Sequence, residues 1–292
     1  MSVSPLPTLA LHGVDHTARP TWRLRETVEF YRDKLGLPLV HVISARGWGP
    51  TAYPDFLHFF FDSGAGSAIA FFYYLGTEEP AGISERAASR AVPANYMLDS
   101  THTAWQVSGP QDLKAWQERL EAHGLQYEPV VRHEVIESLV VRDPNGYFIE
   151  FTNKLRPLSK LDALDAQLSL EAAMALEDEA RSAGHRVESI DAIWNRKAAM
   201  VAEREHTALA KVRVFVARVD EFAPLVRAAE KNPDCRVSTS NDYHVIEADG
   251  PIEFERKVVD FRPALWYGML TGGVQGRIER YDRDVLRIVP QS

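Results

Sequence analysis

Cysteine is almost missing from this sequence: Cys235 is the single thiol in 292 residues. One thiol excludes an internal disulfide and a CxxC metal site, so any metal must be held by nitrogen and oxygen ligands. Positive charge is also short. Thirty-three Lys and Arg stand against 41 Asp and Glu, a net charge of −8. That excludes nucleic-acid binding through a basic surface. No apolar run reaches the roughly 20 residues of a membrane span. The richest stretch, Phe56 to Leu75, is broken by His58, Asp62, Ser63, Gly64, Gly66 and Ser67. The opening Met1-Ser-Val-Ser-Pro-Leu-Pro has neither a basic nor an apolar segment, so the expectation is a cytoplasmic protein without a signal peptide. A P-loop, a GxGxxG run after a strand and a nucleophile elbow are missing too.

What is present is an ordinary globular composition, 45% hydrophobic and 25% charged, in a chain long enough for about two domains. The expected class is α+β. The first domain spans 8–157 and the second, a separate α+β domain, 158–292. Within the first, two stretches repeat one order of elements, at about 8–76 and 100–155. The first begins with a strand near Leu11–Ala18. A helix follows from Leu24 to Leu35, with Leu24, Val28, Tyr31 and Leu35 at helical spacing and Gly36 at the C′ position. Strands follow near Leu39–Ser44, Phe56–Asp62 and Ala68–Leu75. The second stretch has a strand at Thr101–Val107, a helix carrying Leu113, Trp116 and Leu120 and stopping at Gly124, and strands near Tyr127–Val131, Ser138–Arg142 and Tyr147–Thr152. Asp62-Ser-Gly-Ala-Gly and Asp143-Pro-Asn-Gly mark the matching turns. Each stretch therefore reads βαβββ, and two together close a shared curved sheet. Gly76–Ser100 between them is long for a plain connection, and reads equally as a lid or a solvated linker.

In the tail, helices are expected near Leu168–Ala183, Ser189–Glu205 and Glu221–Glu230. Strands are expected at Lys211–Val219, Cys235–Ser240, His244–Glu247 and Ile252–Val259, with a closing hairpin of Gly276–Tyr281 and Val285–Val289. Nothing in it repeats the first domain.

Ligand-capable residues occupy equivalent places in the repeat. His16 and His102 lie on the two first strands, and Glu150 on the last strand of the second unit; its counterpart is Ala70. Two histidines and a carboxylate converging on one sheet face make a facial triad with open positions, which suits Fe(II). Mn(II) and Zn(II) are the alternatives. His58, set among phenylalanines in Phe56-Leu-His-Phe-Phe-Phe-Asp62, reads either as a buried partnered histidine or as a pocket acid–base. The sequence aligns it with Leu139. Phe59, Phe61, Phe71, Phe72, Tyr73 and Tyr74 read as core or as a lining for a planar substrate. His12 reads as structural or as a support behind the ligand residues; Trp48 and Tyr53 read as gating residues. Tyr243 and His244 read as core, and Trp266-Tyr267 with its neighbouring glycines as a cover or interface.

His16, then Phe30-Tyr31 fourteen residues on, then Lys34-Leu-Gly-Leu resemble the opening of a vicinal oxygen chelate module. Thr101-His-Thr-Ala-Trp-Gln-Val resembles the opening of a second, and Asp143-Pro-Asn-Gly-Tyr-Phe-Ile-Glu-Phe is similar to the closing signature of that superfamily. The resemblance covers about residues 10–155. It implies a metal held by His16, His102 and Glu150. Among its members the ligand count is closest to extradiol ring-cleaving dioxygenases, which use two His and one Glu on Fe(II). Ala70 stands where glyoxalase I has a fourth ligand. The sequence departs from the extradiol pattern where Gly66-Ser67-Ala68 replaces a catalytic histidine and Val140 a tyrosine. The resemblance offers His133, seventeen residues before Glu150, as a residue touching substrate or oxygen. The expected function is an Fe(II)-dependent oxidation by O2 of an aromatic or catechol-like small molecule, with His58 or His133 handling protons and a homo-oligomer as the assembly. The alternatives are another metal-dependent isomerase, lyase or transferase, or a protein that sequesters a small molecule.

Overall fold

The computed structural model describes residues 13–46, 54–79, 100–206 and 212–291. His12, Trp48, Tyr53 and most of the Gly76–Ser100 connection lie outside the described residues. The chain divides into two compact units. One is 1–131 with 137–154, and the other is 132–136 with 155–292.

The first unit is the duplicated one. Its first half runs β1 (His16–Thr21), α1 (Leu24–Val28), a π-helical continuation (Glu29–Lys34), β2 (Leu39–Ala45), β3 (Phe56–Gly64) and β4 (Ser67–Tyr74). Its second half runs β5 (His102–Gln106), α2 (Pro110–Ala122), β6 (Tyr127–Arg132), β7 (Ile136–Arg142) and β8 (Phe148–Lys154). Each half makes a four-stranded sheet, in the orders β1-β4-β3-β2 and β5-β8-β7-β6. The first strand of each lies parallel to the last, with His16 opposite Ala68 and His102 opposite Phe148. Strand alternation gives each sheet a helix-facing side and an open side. The helix-facing side is the core: Phe59, Phe61, Ile69 and Phe71 pack with Phe30, Tyr31 and Leu35 from the first half. Leu139, Val141, Ile149 and Phe151 join Leu113 and Leu120 in the same cluster, so one core serves both halves.

Polar contacts tie the halves together at β1 and β5. Arg19 donates to Thr103 Oγ1 and lies over the Tyr147 ring. Tyr31, fully buried, donates to Asp143 Oδ2 at 3.0 Å, and Thr21 donates to Asn145 Oδ1 at 2.7 Å. The Asp143-Pro-Asn-Gly turn therefore both closes a hairpin and locks onto the other half. Burial pushes the Asp143 carboxyl up, opposed by hydrogen bonds from the Tyr147 backbone, Asn145 and Tyr31.

The second unit contains α3 (Lys160–Ser182), α4 (Ile190–Arg204), β9 (Val212–Ala217), α5 (Ala223–Glu230), β10 (Arg236–Thr239), β11 (Tyr243–Ala248), β12 (Ile252–Glu255), α6 (Arg256–Val259), α7 (Pro263–Gly268), β13 (Val274–Gln275), β14 (Arg277–Tyr281) and β15 (Val285–Val289). Its sheets have the orders β10-β11-β9-β13 and β12-β15-β14. Buried Trp266 and Tyr243 serve its cores, Trp266 donating to Asp282 O at 2.7 Å. Lys197 is wholly buried on α4, and its ammonium is satisfied by Asp165, Ser169 Oγ and Thr271 O at 2.6–2.7 Å. A fully partnered buried charge of this kind holds packing in place. The fold is α+β throughout: the paired βαβββ halves stand as expected, followed by further sheets and helices.

Candidate metal centre

Three histidines in the first unit share one local device. His102 Nδ1 donates to Ser100 O at 2.9 Å, His16 Nδ1 meets Asp15 Oδ1 at 2.6 Å, and His58 Nδ1 donates to Phe71 O at 3.2 Å. Anchoring Nδ1 to an acceptor fixes the proton there and leaves Nε2 with its lone pair outward, the usual arrangement for a metal-ligating or proton-accepting imidazole.

On the second sheet, β5 and β8 bring His102 and Glu150 into contact, with Nε2 3.2 Å from Oε2. Glu150 is 9% exposed. A buried carboxylate facing an imidazole Nε2 is a donor pair that suits a divalent cation. On the first sheet, His16, Ala70, Phe72, Phe60 and His58 lie on the open side by register. The His16 ring meets Phe60 edge-on at 5.4 Å and is 6.3 Å from His58. Among the described residues no three His, Cys, Asp or Glu side chains gather closely enough to hold a metal. The structure thus joins His102 to Glu150, while His16 is turned against Phe60 and Asp15.

His58 is 5% exposed and stacks flat on Phe72, with centroids 3.6 Å apart and planes 7° apart. Burial pulls its basicity down, partly offset by the Phe71 carbonyl, and the charges of His16 and His41 add to the lowering. His41 comes from β2 and lies 5.5 Å from Phe60. Sequence reading missed it; its strand parity with Phe60, opposite it in the register, is the signal that could have found it. The alignment of His58 with Leu139 does not survive, because Leu139 is on the helix-facing side with Phe59 whereas His58 is on the other. A one-residue slip inverts the face of a strand residue. The aromatic run divides in the same way. Phe59, Phe61 and Phe71 are core, whereas Phe60 and Phe72 line the open face.

His133 is exposed, in the 132–136 connection that groups with the second unit. Val140 lines a cavity of about 480 Å³ with Arg142, its neighbour but one on β7, and Phe148 on β8, the strand of Glu150. Phe148 is two residues before Glu150 and so shares its face. The Arg142 guanidinium lies 3.8 Å over the Phe148 ring.

Residues 13–151 match the model of the glyoxalase/bleomycin resistance protein/dioxygenase superfamily, which bears out the resemblance read from the motifs. None of the curated proteins matches the chain. Among solved structures, a glyoxylase/bleomycin resistance protein/dioxygenase domain from Frankia sp. EAN1pec is similar at 18% identity, over 51% of this chain and 96% of that one, with a TM-score of 0.37. A lactoylglutathione lyase from Agrobacterium tumefaciens is similar at 21% identity, over 49% and 94%, with a TM-score of 0.33. TnmS3, an antibiotic binding protein from Streptomyces sp. CB03234, is similar at 16% identity, over 50% and 99%, with a TM-score of 0.34.

Proposed function

We propose that the first unit is a metal-dependent enzyme that oxidises an aromatic or catechol-like small molecule with O2, using Fe(II) held by His16, His102 and Glu150. The observation that carries this is the His102–Glu150 pair: an imidazole with Nδ1 committed to Ser100 O and Nε2 aimed at a buried carboxylate. His16 has the same commitment of Nδ1, to Asp15, at the repeat-equivalent position on β1. The Arg19–Thr103 bond holds β1 beside β5. This donor set, two imidazoles and one carboxylate without sulfur, fits Fe(II).

An ion bound there supplies Lewis acidity to vicinal substrate oxygens and an open position for O2. The chain's own residues do the rest. Phe60 and Phe72 offer apolar faces to a planar ring. His58 is kept neutral by burial, with Nε2 free of the Phe71 bond, and accepts the proton of a substrate hydroxyl. Of the two histidines the sequence offered for that task, His58 shares the open face with His16, which favours it over His133.

Metal analysis of purified protein with oxygen-electrode measurements on added catechols tests the reading. The expected result is near-stoichiometric iron and O2 uptake. Manganese or zinc without uptake assigns the chain to isomerase, lyase or transferase chemistry, and no bound metal to a sequestering protein. His102→Ala is expected to lose the metal with an unchanged circular dichroism spectrum; retention of full metal content would remove His102 from the ligand set.

A further inference from the structure

The two halves of the first unit differ at their outer edges. In each sheet the last strand in the order, β2 or β6, hydrogen-bonds on one side only among the described residues. A bare strand edge is a template for another strand, and proteins that stay monomeric blunt such edges with charges or proline. β6, Tyr127-Glu-Pro-Val-Val-Arg132, carries all of these: Glu128, Pro129 and Arg132. β2, Leu39-Val-His-Val-Ile-Ser-Ala45, carries no charged residue at neutral imidazole and no proline. Its one edge-blunting feature is a bulge at its start, where the register on β3 slips between Leu39 and His41, and His41–Ala45 then run in unbroken register. Leu39, Val40 and Val42 are 43, 56 and 46% exposed, apolar side chains left open to solvent on this edge.

The core of β2 also reads alike in both directions. Around His41, Val40 matches Val42 and Leu39 matches Ile43. Paired antiparallel with itself about His41, the strand sets Val40 against Val42 twice and leaves no charge opposite an apolar group. A two-fold interface requires such self-complementarity, and cross-strand β-branched pairs stabilise it.

We propose that β2 pairs edge to edge with β2 of a second copy of this chain, joining two four-stranded sheets into one of eight with His41 facing His41 at the two-fold axis. This is independent of whether a metal binds. The single-edge divergence within a duplicated pair carries the inference: one copy of the repeat kept a protected edge and the other an adhesive one.

Sedimentation equilibrium of the full chain is expected to give twice the 32.9 kDa chain mass. The double variant Val40→Lys, Val42→Lys sets lysines opposite one another and is expected to weaken the dimer by on the order of tenfold or more. Val130→Lys on β6 is expected to leave it intact. In a Cys235→Ala background, His41→Cys is expected to give a reducible dimer under mild oxidation, because directly opposed antiparallel residues lie about 4.5–5.5 Å apart at Cα, within disulfide reach. Val130→Cys is the negative control. A wild-type chain that stays monomeric at high concentration overturns the proposal. So does a dimer indifferent to the double lysine variant, or, if that variant misfolds, a His41→Cys chain that fails to cross-link.

Discussion

At the residue scale, the most constrained side chains are polar groups buried with their partners. Tyr31 and Asp143 join the two halves of the first unit by one hydrogen bond inside the shared core. Tyr31→Phe keeps the ring packing and strips one donor from a carboxylate that retains its bonds from Asn145 and Tyr147. The expected cost is about 1–2 kcal/mol in chemical denaturation; no loss would mean that the bond contributes nothing net. Glu134 in the second unit is the opposite case. Burial raises its carboxyl above the ordinary value, and Glu221, Asp165 and Asp162 push the same way against the pull of Arg156; Lys197, which also faces it, pulls with Arg156. An acid whose folded pKa is raised carries a penalty in its ionised form, fully present above that raised value and absent below the ordinary one near 4.5. Glu134→Gln is therefore expected to raise the melting temperature at pH 7.5, with the gain shrinking towards zero as the pH falls to 4.5. A gain that grew on acidification would reverse the sign of the argument. The ligand-type residues His16, His102 and Glu150 were legible because duplication places them in register. His41 was not, since a histidine on an apolar edge strand has no repeat partner to mark it: Pro129, two after Tyr127, stands on the matching strand β6.

At the element scale, hydrophobic periodicity located the strands of the duplicated half, and turn chemistry located their hairpins. The helix over 24–35 forms, but it is wound as one α-turn and a π-segment. Hydrophobic spacing does not separate these over so short a segment, because Tyr31 and Leu35, four apart, are buried as they would be on an α-helix. In the tail the expected helix start at Leu168 falls short. The helix begins at Lys160, set by a reciprocal cap between Ser159 and Asp162, with Arg156 bonded to Asp162 and Glu221. The charged first turns disguised it, since Leu161, Leu164 and Leu168 alone carry its apolar spacing there. The expected strand 252–259 stops at Glu255, and Arg256–Val259 coils into a turn of helix. Asp260 ends that turn in a left-handed conformation at φ +60°, which no periodicity announces. Gly36 ends the first helix at φ +76°, and a Cβ there would run into the Arg119 guanidinium. Gly36→Ala is expected to cost about 1–2 kcal/mol for the left-handed backbone, and more if Arg119 gives up its bond to Lys34 O. A melt superimposable on the wild type would show that the turn relaxes freely.

At the scale of the whole molecule, the duplication was legible and the tail only in outline, because repetition doubles every signal in the first half and nothing does so in the second. The assignment of 132–136 to the second unit was not legible at all, since it depends on contacts far apart in sequence, such as Leu155 N–H to Val135 O at 2.9 Å. A fragment ending at 157 leaves that connection without Asp165, Lys197 and the rest of its surroundings. It is expected to melt at lower temperature than the full chain and to be cut first by protease within 132–136; equal stability would show that the connection needs no support. The parallel pairing of first strand with last also sets a timetable for synthesis. β1 leaves the ribosome early yet has no strand to lie against until β4 emerges, and β5 waits in the same way for β8. Two half-made sheets must therefore stay soluble while translation catches up, and Glu150, on the last strand of the first unit to emerge, is the final piece of the proposed metal site to arrive.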